Sequence, residues 1–278
     1  MNIRQLIPKP KRYFEINREE RYFAALLYSA LLQRGENLSN FLILLQSKLA
    51  TGRSLLPSSL DSCELYFEYT YLRDLWSSIG SDNNLKRRVI LESLRLSDSP
   101  RLQKMSVIDF NSFFGAGRVS ASSNEIMCPA TWALTKYSAN LPDDEEFIRA
   151  CNFKWSFNAK PDLVIQTQPD HAICIEAKYS SEEGTYPSSP KDKEVFSQRK
   201  IKSVSQTSLQ EYMFKELLGM EVTHYYLTRD SASTRPNSIS WKESFAAVSL
   251  DNLHPFVRRT LAATGILGEE GNSPHVVS

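Results

Sequence analysis

Three charged side chains at the ends of two apolar segments are the residues of this chain best suited to chemistry. Asp162 opens the segment DLVIQTQ, and Glu176 and Lys178 close the segment HAICIEAK. Carboxylate oxygens are hard ligands that suit magnesium or manganese, and such an ion polarises a phosphoryl oxygen and lowers the pKa of bound water. An ammonium group beside them can orient that water and offset negative charge on a phosphate. The combination indicates hydrolysis of a phosphodiester.

The two apolar segments predict a β-hairpin that brings these charges together. Strands are predicted over 162–167 and 172–179, and Gln168-Pro-Asp-His171 between them is typical of a turn. A turn centred in that tetrapeptide places Asp162 opposite the charged end of the second strand, and a slip of one residue changes the partner but not the neighbourhood. Strand side chains alternate, so the two charges of E-A-K share one face. The other face takes apolar side chains, namely Ile173, Ile175 and Ala177.

The spacing of these residues resembles the signature of a known enzyme family. Pro161-Asp162, then thirteen residues, then Glu176-Ala177-Lys178 is similar to the motif of the PD-(D/E)XK nuclease superfamily. The resemblance implies an α/β, restriction-endonuclease-like fold with an αβββαβ core and a mixed central sheet, preceded here by a helical N-terminal region. The core elements are expected over 125–137 (helix), 147–157, 162–167 and 172–179 (strands), 203–218 (helix) and 222–227 (strand).

The resemblance also implies what the motif residues do. Asp162, Glu176 and Ala177 are expected to hold Mg²⁺ or Mn²⁺, and Lys178 is expected to position the attacking water. The implied enzyme is a magnesium-dependent phosphodiester hydrolase, an endonuclease that acts on DNA in preference to RNA. Many members of the superfamily act in prokaryotic restriction or antiviral defence, and that role is the expected one.

Two further residues are candidates through the resemblance. Many members add a carboxylate from the first core helix, for which Glu125 is the candidate; a solvated residue favoured by the helix dipole is the alternative. Members also often carry a glutamine on the helix after the E-x-K strand. Gln206 is favoured there over Gln210, which lies four residues on and shares its face.

The remainder of the chain predicts a division into two regions. Apolar residues at helical spacing predict helices over four segments of the first hundred residues, 18–34, 38–49, 63–79 and 85–96. Residues 106–123 read as a loop-rich junction, and a last helix is expected over 253–263. The predicted domains are a helical region at 1–105, for recognition, a protein partner or oligomerisation, and a nuclease domain at 106–278.

Composition limits the partners and the compartment. The 33 basic and 32 acidic residues give a net charge of +1, so any polyanion site must be local. The basic residues of 191–202 either contact phosphates or belong to a solvated loop. No apolar run is long enough for a membrane span, no export signal is evident, and four scattered cysteines indicate reduced thiols. A cytoplasmic protein without membrane contact is expected.

A different class of function remains open at this point. The chain could be a nuclease-fold binding or assembly subunit of a larger complex, inactive or gated without its partner. The nearly neutral charge fits that alternative, because free-standing DNA-binding proteins are often more basic. The intact D…E-x-K pattern favours the enzyme.

Overall fold

The computed structural model describes residues 11–49, 54–116, 124–179, 182–229 and 237–267, and these residues include helices, a five-stranded sheet and a two-stranded sheet. The elements in chain order are α1 (Tyr13–Ile16), α2 (Glu20–Gln33), α3 (Gly35–Lys48), β1 (Glu64–Phe67), α4 (Tyr71–Ser78), α5 (Asn83–Leu94), α6 (Ser99–Lys104), α7 (Val107–Phe113), α8 (Leu134–Asn140), α9 (Asp144–Ser156), β2 (Leu163–Gln168), β3 (His171–Ala177), β4 (Thr185–Tyr186), α10 (Pro190–Gln198), β5 (Val204–Ser205), α11 (Gln206–Tyr212), β6 (Glu221–Thr228), β7 (Ser238–Ser240), α12 (Trp241–Ala246) and α13 (Pro255–Ala263). A π-helical segment, Met213–Leu217, continues α11, and short 3-10 turns cover Leu60–Ser62 and Pro129–Thr131.

The chain divides into two compact units, each assembled from separate stretches. The first unit comprises Met1–Glu68, Asp162–Glu182 and Thr223–Ser278. The second comprises Tyr69–Pro161 and Glu183–Val222. The chain passes between the two units after residues 68, 161, 182 and 222, none of which coincides with the predicted boundary at 105/106. The roles assigned to 1–105 and 106–278 stay predictions.

The first unit contains a five-stranded sheet in the order β1-β2-β3-β6-β7. β2 runs antiparallel to both of its neighbours, β1 and β3, whereas β6 and β7 are parallel, so the sheet is mixed and the α/β class is confirmed. The apolar face of β2 and β3 shares one core with α2 and α3. That core includes Phe23, Leu27, Phe41, Leu45, Leu163, Ile165, Ile173, Ile175 and Ala177. Full burial of each large side chain contributes about 1.5–3 kcal/mol.

Aromatic side chains form the core of the second, largely helical unit. Phe114 stacks on Trp132 with ring centroids 3.9 Å apart, and Trp132 meets Phe153 at 5.7 Å. Tyr137 packs on Phe147 at 5.8 Å and joins α8 to α9. β4 and β5 form a separate two-stranded sheet in this unit. The unit therefore has its own apolar interior.

Several predicted elements are confirmed. The helices expected at 18–34, 38–49, 85–96, 203–218 and 253–263 correspond to α2, α3, α5, α11 with its π continuation, and α13. The strands expected at 162–167, 172–179 and 222–227 correspond to β2, β3 and β6. β7 and α12 were not predicted from the sequence. The predicted irregular N-terminal segment up to residue 10 and the tail after Gly268 lie outside the described residues.

The helix predicted over 63–79 was wrong in its first half, where the chain forms β1. Glu64–Phe67 alternates between exposed and half-buried residues, the period-two pattern of a strand with one packed face. Leu65 lies opposite Ile165 of β2, so pairing with the central sheet outweighs local helix propensity. Only Tyr71–Ser78 is helical.

The strand predicted over 147–157 was also wrong, since Asp144–Ser156 is a helix. The Asp143 side chain caps it by accepting a hydrogen bond from the main-chain N–H of Glu146, and three acidic residues occupy its first turn. Buried Phe147, Ala150 and Cys151 recur at helical spacing.

The first core helix predicted over 125–137 does not form as one element. The chain makes a 3-10 turn at Pro129–Thr131 and turns helical only at Leu134. Pro129 has no N–H to donate, and its ring obstructs a continuous helix through the middle of the segment. The predicted junction at 106–123 contains α7, and residues 117–123 lie outside the described part.

Candidate functional site

The β2–β3 hairpin places Asp162 and Glu176 directly across from each other. Leu163 lies opposite Ile175, so the next pair outward joins Asp162 to Glu176. β2 carries an irregularity near its turn end that shifts the pairing by one residue. Bulges of this kind re-aim the side chains of a strand and are common beside functional sites. The shift puts the two carboxylates, rather than Asp162 and an alanine, at the same level of the sheet.

Asp162 is fixed from both sides. Its main-chain carbonyl accepts a hydrogen bond from the N–H of Glu68, just after β1, at 2.9 Å. Its Oδ2 accepts another from the N–H of Ala177, at the end of β3, also at 2.9 Å. Burial raises the pKa of Asp162 because it penalises the charged form; the Ala177 N–H and the Lys178 ammonium lower it, but by less. The carboxylate is therefore oriented and short of compensating positive charge.

Glu176 and Lys178 form a buried ion pair on the same face of β3. Lys178 Nζ lies 3.4 Å from Glu176 Oε2, with the two side chains 12% and 3% exposed. Two carboxylates opposite each other on neighbouring strands repel, and one ammonium cannot neutralise both. Asp162, Glu176 and Lys178 thus lie near one another at the end of the hairpin, and the roles predicted for them stay predictions.

The donor set fits a hard divalent cation. Mg²⁺ is usually held by one or two carboxylates, with substrate phosphate and water completing its six positions. Asp162 and Glu176 supply two carboxylates, and the carbonyl oxygen of Ala177 is an additional donor. Within the described residues, no group of three or more His, Cys, Asp or Glu side chains is arranged to hold a metal ion. Any cation here would therefore depend on the substrate and water for most of its ligands.

Glu20 is a neighbour of this site that sequence reasoning missed. It is the first residue of α2, and its Oε1 accepts a hydrogen bond from the main-chain N–H of Tyr179 at 2.5 Å. Its charge also raises the pKa of Asp162, whereas Arg21 lowers it. The available signal was a glutamate near the start of the helix predicted over 18–34. The sequence prediction placed the first core helix at 125–137 and therefore gave Glu20 no role.

Glu125 lies in the second unit and has structural partners there. It accepts hydrogen bonds from Ser81 Oγ at 2.7 Å and from Lys86 Nζ at 3.3 Å. The Ser81 bond, then the Lys86 ammonium, hold the pKa of Glu125 below its usual range. The Asn111 side chain also donates to the Glu125 carbonyl, at 2.8 Å. These hydrogen bonds hold the chain at Glu125 in place against α5 and α7. The catalytic role of Glu125 stays a prediction.

Gln206 also lies in the second unit, as the first residue of α11. Its main-chain N–H donates to the Gly184 carbonyl at 2.9 Å, which fixes the start of the helix. The alternative, Gln210, is fully buried. The role of Gln206 stays a prediction.

The basic segment 191–202 divides into two kinds of residue. Arg199 donates to Asp144 Oδ1 at 2.8 Å and to the Leu141 carbonyl at 2.7 Å, so its role is structural. Its guanidinium also lies 4.2 Å from the ring centroid of Phe147. The lysines of the segment are exposed, namely Lys191, Lys193, Lys200 and Lys202. Lys191 and Lys193 lie on α10 rather than in a loop, and contact of the segment with phosphates stays a prediction.

Comparison of the chain with family models, with curated proteins and with solved structures finds no match. Among the described helices, none is long and apolar enough to cross a lipid bilayer.

Proposed function

We propose that this protein is a metal-dependent nuclease of the PD-(D/E)XK type, an endonuclease that hydrolyses phosphodiester bonds of DNA. One observation carries the proposal. Asp162 and Glu176 face each other across the end of an antiparallel hairpin, and Lys178 Nζ lies 3.4 Å from Glu176. Ionisable side chains brought together in a largely buried place have a cost in free energy, and such clusters are typical of functional sites.

The order of elements supports a restriction-endonuclease-like core once two of its parts are reassigned. In chain order, α2, β1, β2, β3, α11 and β6 follow the αβββαβ sequence. α2 and β1 then replace the segments 125–137 and 147–157, and Tyr69–Pro161 becomes an insertion between the first two strands. The reassignment also makes Glu20, rather than Glu125, the carboxylate of the first core helix.

Each residue of the motif has a task in the proposed reaction. Asp162, Glu176 and the Ala177 carbonyl would hold Mg²⁺ or Mn²⁺. That ion supplies Lewis-acid activation of the phosphodiester and of water. Lys178 donates a hydrogen bond that orients the attacking water and offsets charge developing on the phosphate. Glu20 holds the main chain at Tyr179 and so fixes the direction of the end of β3.

Purified wild-type protein is expected to cut DNA only when Mg²⁺ or Mn²⁺ is present. The assay compares supercoiled plasmid, linear duplex, single-stranded DNA and RNA, each with either metal or with a chelator. Conversion of the closed circle to nicked or linear forms identifies endonuclease action. An absence of cleavage with both metals on all four substrates contradicts an autonomous nuclease.

The rival proposal is a nuclease-fold binding or assembly subunit that is inert or gated without a partner. Such a protein binds DNA equally well with metal or chelator, and equally well as wild type or Glu176→Gln. A nuclease instead shows metal-dependent binding that the substitution weakens. The comparison therefore separates the two classes without requiring turnover.

Substitution of Glu20 is expected to matter more than substitution of Glu125. Glu20→Gln keeps an acceptor for the Tyr179 N–H but removes a negative charge near Asp162, so kcat should fall about 10- to 100-fold. Glu125→Gln should leave kcat within about twofold, because its partners are Ser81 and Lys86. Steady-state cleavage at saturating Mg²⁺ measures both. A larger loss of kcat for Glu125→Gln than for Glu20→Gln would identify Glu125, as predicted from the sequence, as the carboxylate of the first core helix.

A further inference from the structure

Two exposed arginines lie near the ring of Tyr179, the residue that follows Lys178. The guanidinium carbon of Arg18 lies 5.9 Å from the ring centroid, and that of Arg229 lies 5.7 Å from it. Tyr179 itself is only 7% exposed, and its ring stacks on Phe23 at 5.6 Å. Its hydroxyl donates to the Thr264 carbonyl at 3.3 Å. A fixed, buried ring thus positions two charged groups that reach solvent.

Both arginines lie at the same end of the sheet as the carboxylates. Arg18 precedes α2, whose first residue, Glu20, binds the main chain at Tyr179. Arg229 directly follows β6, and the N–H of Lys178 donates to the Leu227 carbonyl of that strand at 2.7 Å. Two separate elements therefore converge on the end of β3 and bring one arginine each.

The charge of these arginines is not used within the described part of the protein. Neither guanidinium has an ion-pair partner there, whereas the neighbouring Arg21 lies 3.5 Å from Glu68. Two like charges held near one ring repel each other, and the cation–π contacts offset only part of that cost. An anion bound by both would relieve the repulsion. Guanidinium groups match phosphate oxygens especially well, because their planar fork donates two parallel hydrogen bonds.

We propose that Arg18 and Arg229, held by Tyr179, form a phosphate subsite that anchors the nucleic-acid backbone next to the phosphodiester that is cut. This inference rests on the nuclease function proposed above. The near-zero net charge requires a polyanion site to be local, and the arginine pair supplies such a site. Backbone contacts of this kind set the position of a strand without reading its sequence.

The test measures binding in the absence of metal, so that it does not depend on cleavage. Fluorescence anisotropy of a labelled DNA duplex is recorded in chelator over a series of KCl concentrations, for wild type, Arg18→Ala and Arg229→Ala. Arg259→Ala is the matched control, because Arg259 is also exposed and lies 5.8 Å from an aromatic ring, that of Phe256.

Each subsite variant should lose about one phosphate contact. The slope of log K against log [KCl] should decrease by about 0.9, and affinity at about 0.1 M salt should fall roughly five- to tenfold. Arg18→Lys and Arg229→Lys should retain most of the slope, because they keep the charge. Arg259→Ala should match wild type.

Two results overturn the subsite. In the first, Arg18→Ala and Arg229→Ala give the same slope of log K against log [KCl] as the control Arg259→Ala. The other is the absence of any salt-dependent DNA binding by wild-type protein in chelator. Either result can occur while metal-dependent cleavage is intact, so the subsite can fail without the nuclease. Reduced slopes with no cleavage under any metal would instead support the subsite and reject the enzyme.

Discussion

Lys178→Met is expected to lower the kcat of DNA cleavage by about 10²- to 10⁴-fold, the range typical of a lost proton-transfer or water-orienting group. Methionine keeps most of the aliphatic stem but has no ammonium to donate a hydrogen bond or offset charge on the phosphate. The measurement is single-turnover cleavage of plasmid in saturating Mg²⁺. Lys242→Met is the matched control, because Lys242 is an exposed lysine of α12 in the same unit, and its cleavage rate should equal that of wild type.

The same substitution has a second consequence that must be separated from catalysis. It leaves Glu176, whose side chain is 3% exposed, without the ammonium 3.4 Å away. Removing one partner of a buried ion pair costs about 3–5 kcal/mol, so the free energy of unfolding in chelator should fall by roughly that amount. A loss of activity in Lys178→Met alone could then reflect unfolding.

The double variant Glu176→Gln/Lys178→Met resolves that ambiguity. Replacing both members of a buried ion pair with neutral groups of similar size is often close to neutral for stability. The double variant should therefore unfold at nearly the wild-type denaturant concentration and still fail to cut DNA. Cleavage restored in the double variant would mean that the single variant lost its fold, and that these two charges do not perform the chemistry.

The charged hairpin was predictable because all its determinants are local. Apolar alternation, a proline-containing turn and the E-A-K ending lie within about twenty residues, and β2 and β3 form as predicted. The bulge in β2 was not predictable in the same way. Its position depends on how the strand packs on both faces, and it decides that Glu176 rather than Ala177 lies opposite Asp162.

The first half of the proposed core could not be placed from local patterns. β1 is only four residues long and becomes recognisable as a strand by pairing with β2, almost one hundred residues later in the chain. The sequence FIRACNFKWSF is rich in aromatic residues and so favours a strand, but its Asp143 cap and acidic first turn stabilise a helix. The proposed core therefore differs from the predicted one in its first helix, which carries Glu20 in place of Glu125.

Asp162→Asn is expected to abolish cleavage and, at the same time, to stabilise the metal-free protein. The amide oxygen can still accept the hydrogen bond from the Ala177 N–H, but the negative charge is gone. Since burial raises the pKa of Asp162, the folded state binds its proton more tightly than the unfolded state does. Wild-type stability therefore declines as pH rises from the ordinary pKa of an aspartate to the higher pKa in the folded protein, and that decline is absent from the variant.

The sign of this effect distinguishes a ligand site from a structural ion pair. Above that pH interval, Asp162→Asn should be more stable than wild type and should have the higher Tm. Asp170→Asn, at the exposed turn of the same hairpin, is the control, because it removes a negative charge of the same hairpin from an exposed position. Adding Mg²⁺ should raise the Tm of wild type but not of Asp162→Asn, because a cation that binds only the folded state stabilises it. A variant that is less stable than wild type at neutral pH, with no Mg²⁺ effect in either protein, would make the carboxylate a structural partner of Lys178 rather than a metal ligand.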